Sequence, residues 1–168
     1  MQYDTEELRR LALGLLPRAR KNLKKHGSLQ PVGLAYRPDG HIETLIFHWQ
    51  TLEEKRNLQR EFQIKLLSMG AVAAVIISET WAKFADDGPV DVTDLRSVRD
   101  MPGRKDAILI EAGSAHGRIV LVQTLAKVRP RKFIFGKPRE FTNAMGDFSS
   151  EFMDMIWPVP RGSRQTWH

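Results

Sequence analysis

Apolar positions near the start of the chain recur at helical steps. Leu8, Leu11, Ala12, Leu15, Leu16, Ala19 and Leu23 lie three or four residues apart and form one stripe, which predicts a helix over about residues 5–25. Asp4 or Thr5 supplies the N-cap, and Glu6 and Glu7 complement the positive end of the helix dipole. Lys21, Lys24, Lys25 and His26 load the other end, and Gly27 is the stop. Pro17 removes one internal hydrogen bond and predicts a kink or break near residues 13–16. Residues 31–36 and 41–49 then flank Arg37-Pro38-Asp39-Gly40, a turn signal that predicts a hairpin. Residues 51–69 read as a second helix. Thr51 and Glu54 match the capping box, Leu58, Phe62, Leu66 and Met69 line one face, and Gly70 follows the end.

The pattern changes at residue 71. Ala71-Val72-Ala73-Ala74-Val75-Ile76-Ile77-Ser78 is an apolar run of strand length, and Glu79-Thr80-Trp81-Ala82 ends or extends it. Residues 83–105 carry Asp86, Asp87, Asp91, Asp94 and Asp100 with Gly88-Pro89 and Pro102-Gly103, and read as a long surface loop. Residues 106–111 and 118–128 are two strands joined by the hairpin loop 112–117. Within 118–128 one alternating set is wholly apolar and the other turns polar, as in a sheet covered by helices on one side. A further strand, 131–135, follows the Arg129-Pro130 break, and Gly136-Lys137 reads as a turn after it. Residues 148–157 predict a short helix capped by Asp147, and the basic tail 161–168 is expected to be loose.

The order is α-β-β-α-β-β-β-β-α. Short connections force antiparallel neighbours, because a parallel crossover needs about a dozen residues or more. The expected fold is α+β: an antiparallel sheet of about five to six strands, two main helices packed on one face, and a short C-terminal helix. Residues 1–160 form one domain in this reading; 168 residues suffice to bury roughly 70% of the unfolded chain's surface in a single core.

Composition narrows the chemistry. The absence of cysteine removes disulfides, thiolate metal sites and Cys nucleophiles, and suits a reducing, cytoplasmic setting. The polar start Met1-Gln2-Tyr3-Asp4 is unlike a signal peptide, and no apolar run approaches the ~18 residues of a membrane span. Against 20 acidic residues stand 26 basic ones, an excess that favours anionic partners. No phosphate-loop, dinucleotide, zinc-protease or nucleophile-elbow motif is present. His26, His41, His48, His116 and His168 show no metal-ligand spacing, and the acidic loop lacks the EF-hand pattern, so no metal or cofactor is expected.

Two constellations remain. Glu79 follows an apolar strand, and Glu111 ends another. They would serve as an acid/base pair, or Glu79 would form a salt bridge with Arg104 or Lys105 at the sheet margin. Basic residues also gather twice. Arg18, Arg20, Lys21, Lys24 and Lys25 lie on the first helix; Arg129, Arg131, Lys132, Lys137 and Arg139 surround the strand 131–135. Phe133 and Phe135 interleave with the second group, which suits base stacking on single strands as well as burial under a helix.

The segment Val75-Ile76-Ile77-Ser78-Glu79-Thr80-Trp81 resembles uncharacterised bacterial and phage-associated proteins in which a strand ends in Ser-Glu-Ala-Trp. In those proteins an acidic loop and a Pro-x-Arg-x-Glu motif follow; here the counterpart is Pro102-Gly103-Arg104-Lys105-Asp106, with Thr80 and Asp106 as departures. The resemblance implies no activity, and it singles out Glu79, Trp81 and Arg104.

Three function classes follow. The first is a non-catalytic soluble binding or protein-interaction domain of bacterial or phage type, with an exposed sheet edge open to a protein partner or to homodimerisation. The second is a nucleic-acid-associated protein using the basic clusters at 18–25 and 129–139. The third is a hydrolase-like enzyme using Glu79 and Glu111.

Overall fold

The computed structural model describes residues 2–84 and 102–142. The expected helix 148–157, the tail 161–168 and the acidic stretch 85–101 lie outside the described residues. Along the chain the elements are α1 (Thr5–His26), β1 (Val32–Tyr36), β2 (Ile42–Ile46), α2 (Leu52–Ser68), β3 (Ala73–Ala82), β4 (Lys105–Ser114), β5 (Arg118–Arg129), β6 (Lys132–Phe135) and β7 (Arg139–Thr142). All strands join one antiparallel sheet in the order β2-β1-β3-β4-β5-β6, and β7 also pairs with β5.

α1 begins with a capping box in which Asp4 and Glu7 each bond the other's backbone N–H, and it ends at Gly27 with φ 81°. The helix runs through Pro17 as one element, contrary to the expected break. An internal proline costs about 3 kcal/mol. Against this stand Leu8, Leu16 and Leu23, each at most 3% exposed and each stabilising by about 1.5–3 kcal/mol on burial. Pro17 itself is exposed, so its ring avoids the packed face. α2 carries the expected Thr51/Glu54 capping box.

Among the described residues the sheet carries seven strands rather than five or six. The added one, β7, is the continuation of β6 along the same side of β5. Leu125 pairs with Phe135 and Val122 with Arg139, so Gly136, Lys137 and Pro138 stand opposite only Gln123 and Thr124. The expected turn at Gly136-Lys137 is thus a bulge in one bent edge, held by the Gly136 N–H donating to the Thr124 carbonyl at 2.9 Å.

The helices lie on opposite faces of the sheet, not on one. α1 packs its stripe against Ala73, Val75 and Ile77 of β3, Ile108, Ile110 and Ala112 of β4, and Ile119, Leu121 and Leu125 of β5. α2 packs Phe62 and Leu66 against Ala35, Ala74 and Ile76, with Phe47 closing the layer. Farther along that second face, Phe84 and Phe141 stack over Ala82, Ala107, Val120 and Val122. The unbroken apolar run of β3 reflects this two-sided cover, because alternation is lost when both faces leave water. β5 is buried on both faces as far as Leu125 and exposed beyond it.

Gly33 marks where α2 comes closest to the sheet. A Cβ there would sit 2.8 Å from the Cζ atoms of both Phe47 and Phe62. Gly33→Ala is expected to destabilise the fold by about 1–3 kcal/mol through overpacking, read as a lower urea midpoint; an unchanged midpoint would show that the phenyl rings do not occupy this contact. Tyr3 and Tyr36, whose rings lie 5.5 Å apart, are the chain's two tyrosines. Burial, with Tyr3 nearby, pushes the Tyr36 phenol up to about 12, and burial followed by the charge of Glu7 raises Tyr3. The folded state therefore favours the neutral phenols. That contribution is whole below the unfolded value near 10 and is lost as pH climbs towards about 12. Ultraviolet titration should show tyrosinate appearing later in the native than in the denaturant-unfolded protein; coincident curves would contradict the buried pair.

Candidate nucleic-acid interface

The two basic clusters, a hundred residues apart in sequence, meet at the edge of the α1 face. Gln123 holds them together. It is 1% exposed and lies between Leu121 and Leu125 on this face of β5. Its Oε1 accepts from Arg20 Nε at 2.6 Å, and its Nε2 donates to the Gly136 carbonyl at 2.6 Å. One amide thus ties α1, β5 and the bulged edge together, with acceptor and donor both engaged. Arg20 is drawn over Phe135, its guanidinium carbon 5.6 Å from the ring centre, and Lys24, one helical turn on, places Nζ 5.5 Å from the same ring. Both are within cation–π range.

Phe135 lies at the foot of a hairpin that projects beyond the core. Lys127, Val128, Arg129, Pro130, Arg131 and Lys132 are all exposed. Arg129 stands opposite Lys132, a like-charge cross-strand pair, and the register shifts by one between Lys127 and Arg129. Pro130 sets the first corner of the turn. Arg131 takes the second with φ 62°, the sole positive-φ non-glycine among the described residues. Glycine is the usual occupant of such a corner, because a Cβ there is strained.

Counter-charge is sparse in the parts of the sequence that build this surface. No acidic residue lies between Glu7 and Asp39, or between Glu111 and Glu140. The N-terminal half of α1 is compensated: Arg9 bonds Glu140 at 2.6 Å, and Arg9 and Arg10 both lie near Glu6. Among the described residues no ion pair involves Arg18, Arg20, Lys21, Lys24, Lys25, Lys127, Arg129, Arg131, Lys132 or Lys137. Arg18 is close enough to Tyr36 to act on its phenol, which puts it on the far flank of α1. Arg139 departs from the expected cluster. It pairs with Val122 and lies over Phe84 at 4.0 Å, on the opposite face of the sheet.

The aromatic residues play another part than base stacking. Phe133 is 8% exposed and belongs to the core, and Phe135 is half-buried under the two cations. Lys127, opposite Phe133, is the residue that sequence reasoning left out of the cluster. The acid-free stretches and the polar Gln123 in an apolar alternation were the signals that mark this surface in the sequence.

The carboxylate pair does not assemble. Glu79 pairs with Ile108, whose side chain joins the α1 face, whereas Glu111 pairs with Ile76, which faces α2. Side chains three residues apart on β4 point to opposite sides, so Glu79 and Glu111 cannot share a substrate. Glu79 Oε2 instead accepts from the Leu29 N–H at 2.8 Å, pinning the α1–β1 connection. No ion pair joins it to Arg104 or Lys105 among the described residues. Trp81 lies opposite Asp106 and is partly exposed, as the end of β3 leaves the core. A small open recess of about 210 Å³ beside this connection is lined by Ser28, Gln30, Phe47, His48 and Trp49. Among the described residues no three His, Asp or Glu side chains gather in a metal-binding group, and no helix is long and apolar enough to cross a membrane.

Comparison with family models, with characterised proteins and with solved structures finds no match, so the resemblance at Ser78-Glu79-Thr80-Trp81 rests on its motifs alone.

The strain at the hairpin tip is measurable. Arg131→Gly should stabilise the protein by about 0.5–1 kcal/mol, the left-handed penalty less the extra unfolded-state entropy of glycine. Thermal unfolding should shift upward by a few degrees; a downward shift would mean that Arg131 makes a compensating contact.

Proposed function

We propose that this protein is a non-catalytic nucleic-acid-binding domain that grips the phosphate backbone with the C-terminal half of α1 and the β5–β6 hairpin. The observation that carries the reading is the stacking of Arg20 and Lys24 on one phenyl ring, with neither in an ion pair among the described residues, next to the Arg129–Lys132 pair. Like charges held at such spacing repel each other in the free protein. A polyanion relieves that repulsion and releases its own counterions on binding.

The buried Phe133 and the capped Phe135 favour backbone contacts over base stacking, and so favour a duplex over a single strand. A two-stranded ribbon with a basic tip also has the dimensions to enter a major groove. Binding of this kind is sequence-tolerant, since phosphate contacts position a protein without reading bases. The protein-interaction reading is carried by a different surface, the β2 edge, taken up below. The hydrolase reading has no support, because its two carboxylates open onto opposite faces.

Fluorescence anisotropy with a labelled duplex and the matching single strand, at about 50 and about 200 mM salt, tests the proposal. Neutralising some four phosphates implies a loss of about a hundredfold in affinity between those salt concentrations. The double variant Lys24→Gln/Lys132→Gln should weaken binding and lower the salt slope by about two, while Lys65→Gln, on the other face, should leave binding unchanged. Absence of binding at the lower salt, or equal binding by the double variant, would overturn the proposal.

A further inference from the structure

We infer that the outer edge of β2 is a self-pairing surface, through which two copies of this chain join their sheets into one. The inference does not depend on the nucleic-acid reading. It starts from the hydrogen-bond phase of the β1–β2 hairpin. The Phe47 N–H donates to the Pro31 carbonyl and the Arg37 N–H to the His41 carbonyl, both at 2.9 Å. In an antiparallel pair the hydrogen-bonded residues alternate, so Glu43 and Leu45 turn their backbone groups to β1. The N–H and C=O groups of Ile42, Thr44 and Ile46 face outward, where the sheet has no further strand among the described residues.

This edge lacks the features that usually block edge-to-edge pairing. It contains no lysine, proline or bulge. Ile42 and Ile46 expose 48% and 70% of their surface, the latter the largest value among the exposed apolar side chains. The one charge on the strand, Glu43, is matched by Lys65 of α2 at 3.0 Å, and that lysine holds its carboxyl below the usual carboxylate range. In a chain with net charge +6, the seam is therefore locally neutral and two copies meet there without like-charge repulsion.

The strand is also its own complement. Ile42-Glu43-Thr44-Leu45-Ile46 has isoleucine two residues either side of Thr44. A two-fold axis through Thr44 sets Thr44 against the partner's Thr44, and Ile42 against the partner's Ile46. These are the residues whose backbone groups face outward, so each such pair exchanges both N–H···O bonds. On the same side of the sheet the isoleucines cover one another; on the other, Leu45 lies against the partner's Glu43, whose charge stays with its own Lys65. A shift by one residue would place inward-turned groups at the seam and lose every bond. The match of side-chain symmetry with backbone phase selects a second copy over an unrelated strand. The axis stands perpendicular to the sheet, so both α1 helices lie on one face, and the two β6 strands at the far ends are separated by eleven strand spacings, on the order of 50 Å before twist.

Sedimentation equilibrium of the full chain at high salt, without nucleic acid, tests this independently of the binding assay. The wild-type protein should pass from 19.2 kDa towards twice that mass as concentration rises through the micromolar range. Thr44→Pro removes an outward N–H without touching the β1 ladder, and Ile46→Lys puts charge on the seam; each should weaken dimerisation at least tenfold while leaving circular dichroism unchanged. A wild-type chain that stays at the monomer mass, or native-like variants that dimerise as well as the wild type, would overturn the inference. If both variants misfold, hydrogen exchange of the wild type decides. The amides of Ile42, Thr44 and Ile46 should gain protection with protein concentration, and their failure to do so would overturn it equally.

Discussion

The withdrawal of water from both sides of the β3–β4–β5 strip is the condition the rest of the molecule depends on. Val75, Ile108, Ile110, Ile119, Leu121 and Val122 are all essentially buried, and neighbours along each strand point to opposite faces. Neither helix could provide this alone. α1 supplies a long stripe of leucine and alanine to one side, while α2, Phe47, Phe84 and Phe141 share the other. The fold is thus a three-layer arrangement in which the sheet is the common core, and each layer's burial presupposes the other. A proline inside α1 is tolerable because the stripe it interrupts is anchored along its whole length to that core.

From this strip the two ends of the sheet diverge in character. At one end β5 runs four residues past the last buried position, carrying the hairpin into solvent with its cations outside any ion pair among the described residues. At the other, β2 ends the sheet with a short, neutral, apolar strand. Gln123 is the hinge of the first end: a buried amide, satisfied on both sides, that fixes Arg20 to the edge. Holding a guanidinium and an ammonium over one ring sets their mutual repulsion against the attraction of each for the ring face. Arg131 likewise holds strain, in a corner suited to glycine.

Of the residues singled out by motif at the end of β3, Glu79 holds a backbone contact. Glu79 receives the Leu29 amide and so fixes where the chain leaves α1 for β1. Glu111 faces away from it, across the sheet. A proposal built on carboxylates adjacent in sequence pattern fails here because strand parity, a one-residue matter, decides which side of a sheet a group reaches.

Much of the local chemistry was legible in the sequence, although the chain forms neither the break expected at Pro17 nor the turn expected at Gly136-Lys137. The capping residues Asp4, Glu7, Thr51 and Glu54, the stops at Gly27 and Gly70, the Pro38-Asp39-Gly40 turn and the strand-length apolar runs act within a few residues, so the sequence alone determines them. It also determined antiparallel pairing where the connections are short, in β1–β2, β4–β5 and β5–β6, since these admit no other pairing. What the tertiary structure decided were relations between distant residues. The two helices took opposite faces, because a strand such as β3, apolar at every position from Ala73 to Ile77, has two sides to cover. β7 appeared because a three-residue bulge let the chain rejoin β5. The basic clusters became one surface, because Gln123 drew residue 20 to residue 136. Periodicity reports which side chains share a face; it carries no information on what will stand across from that face, and that is settled only when the layers close.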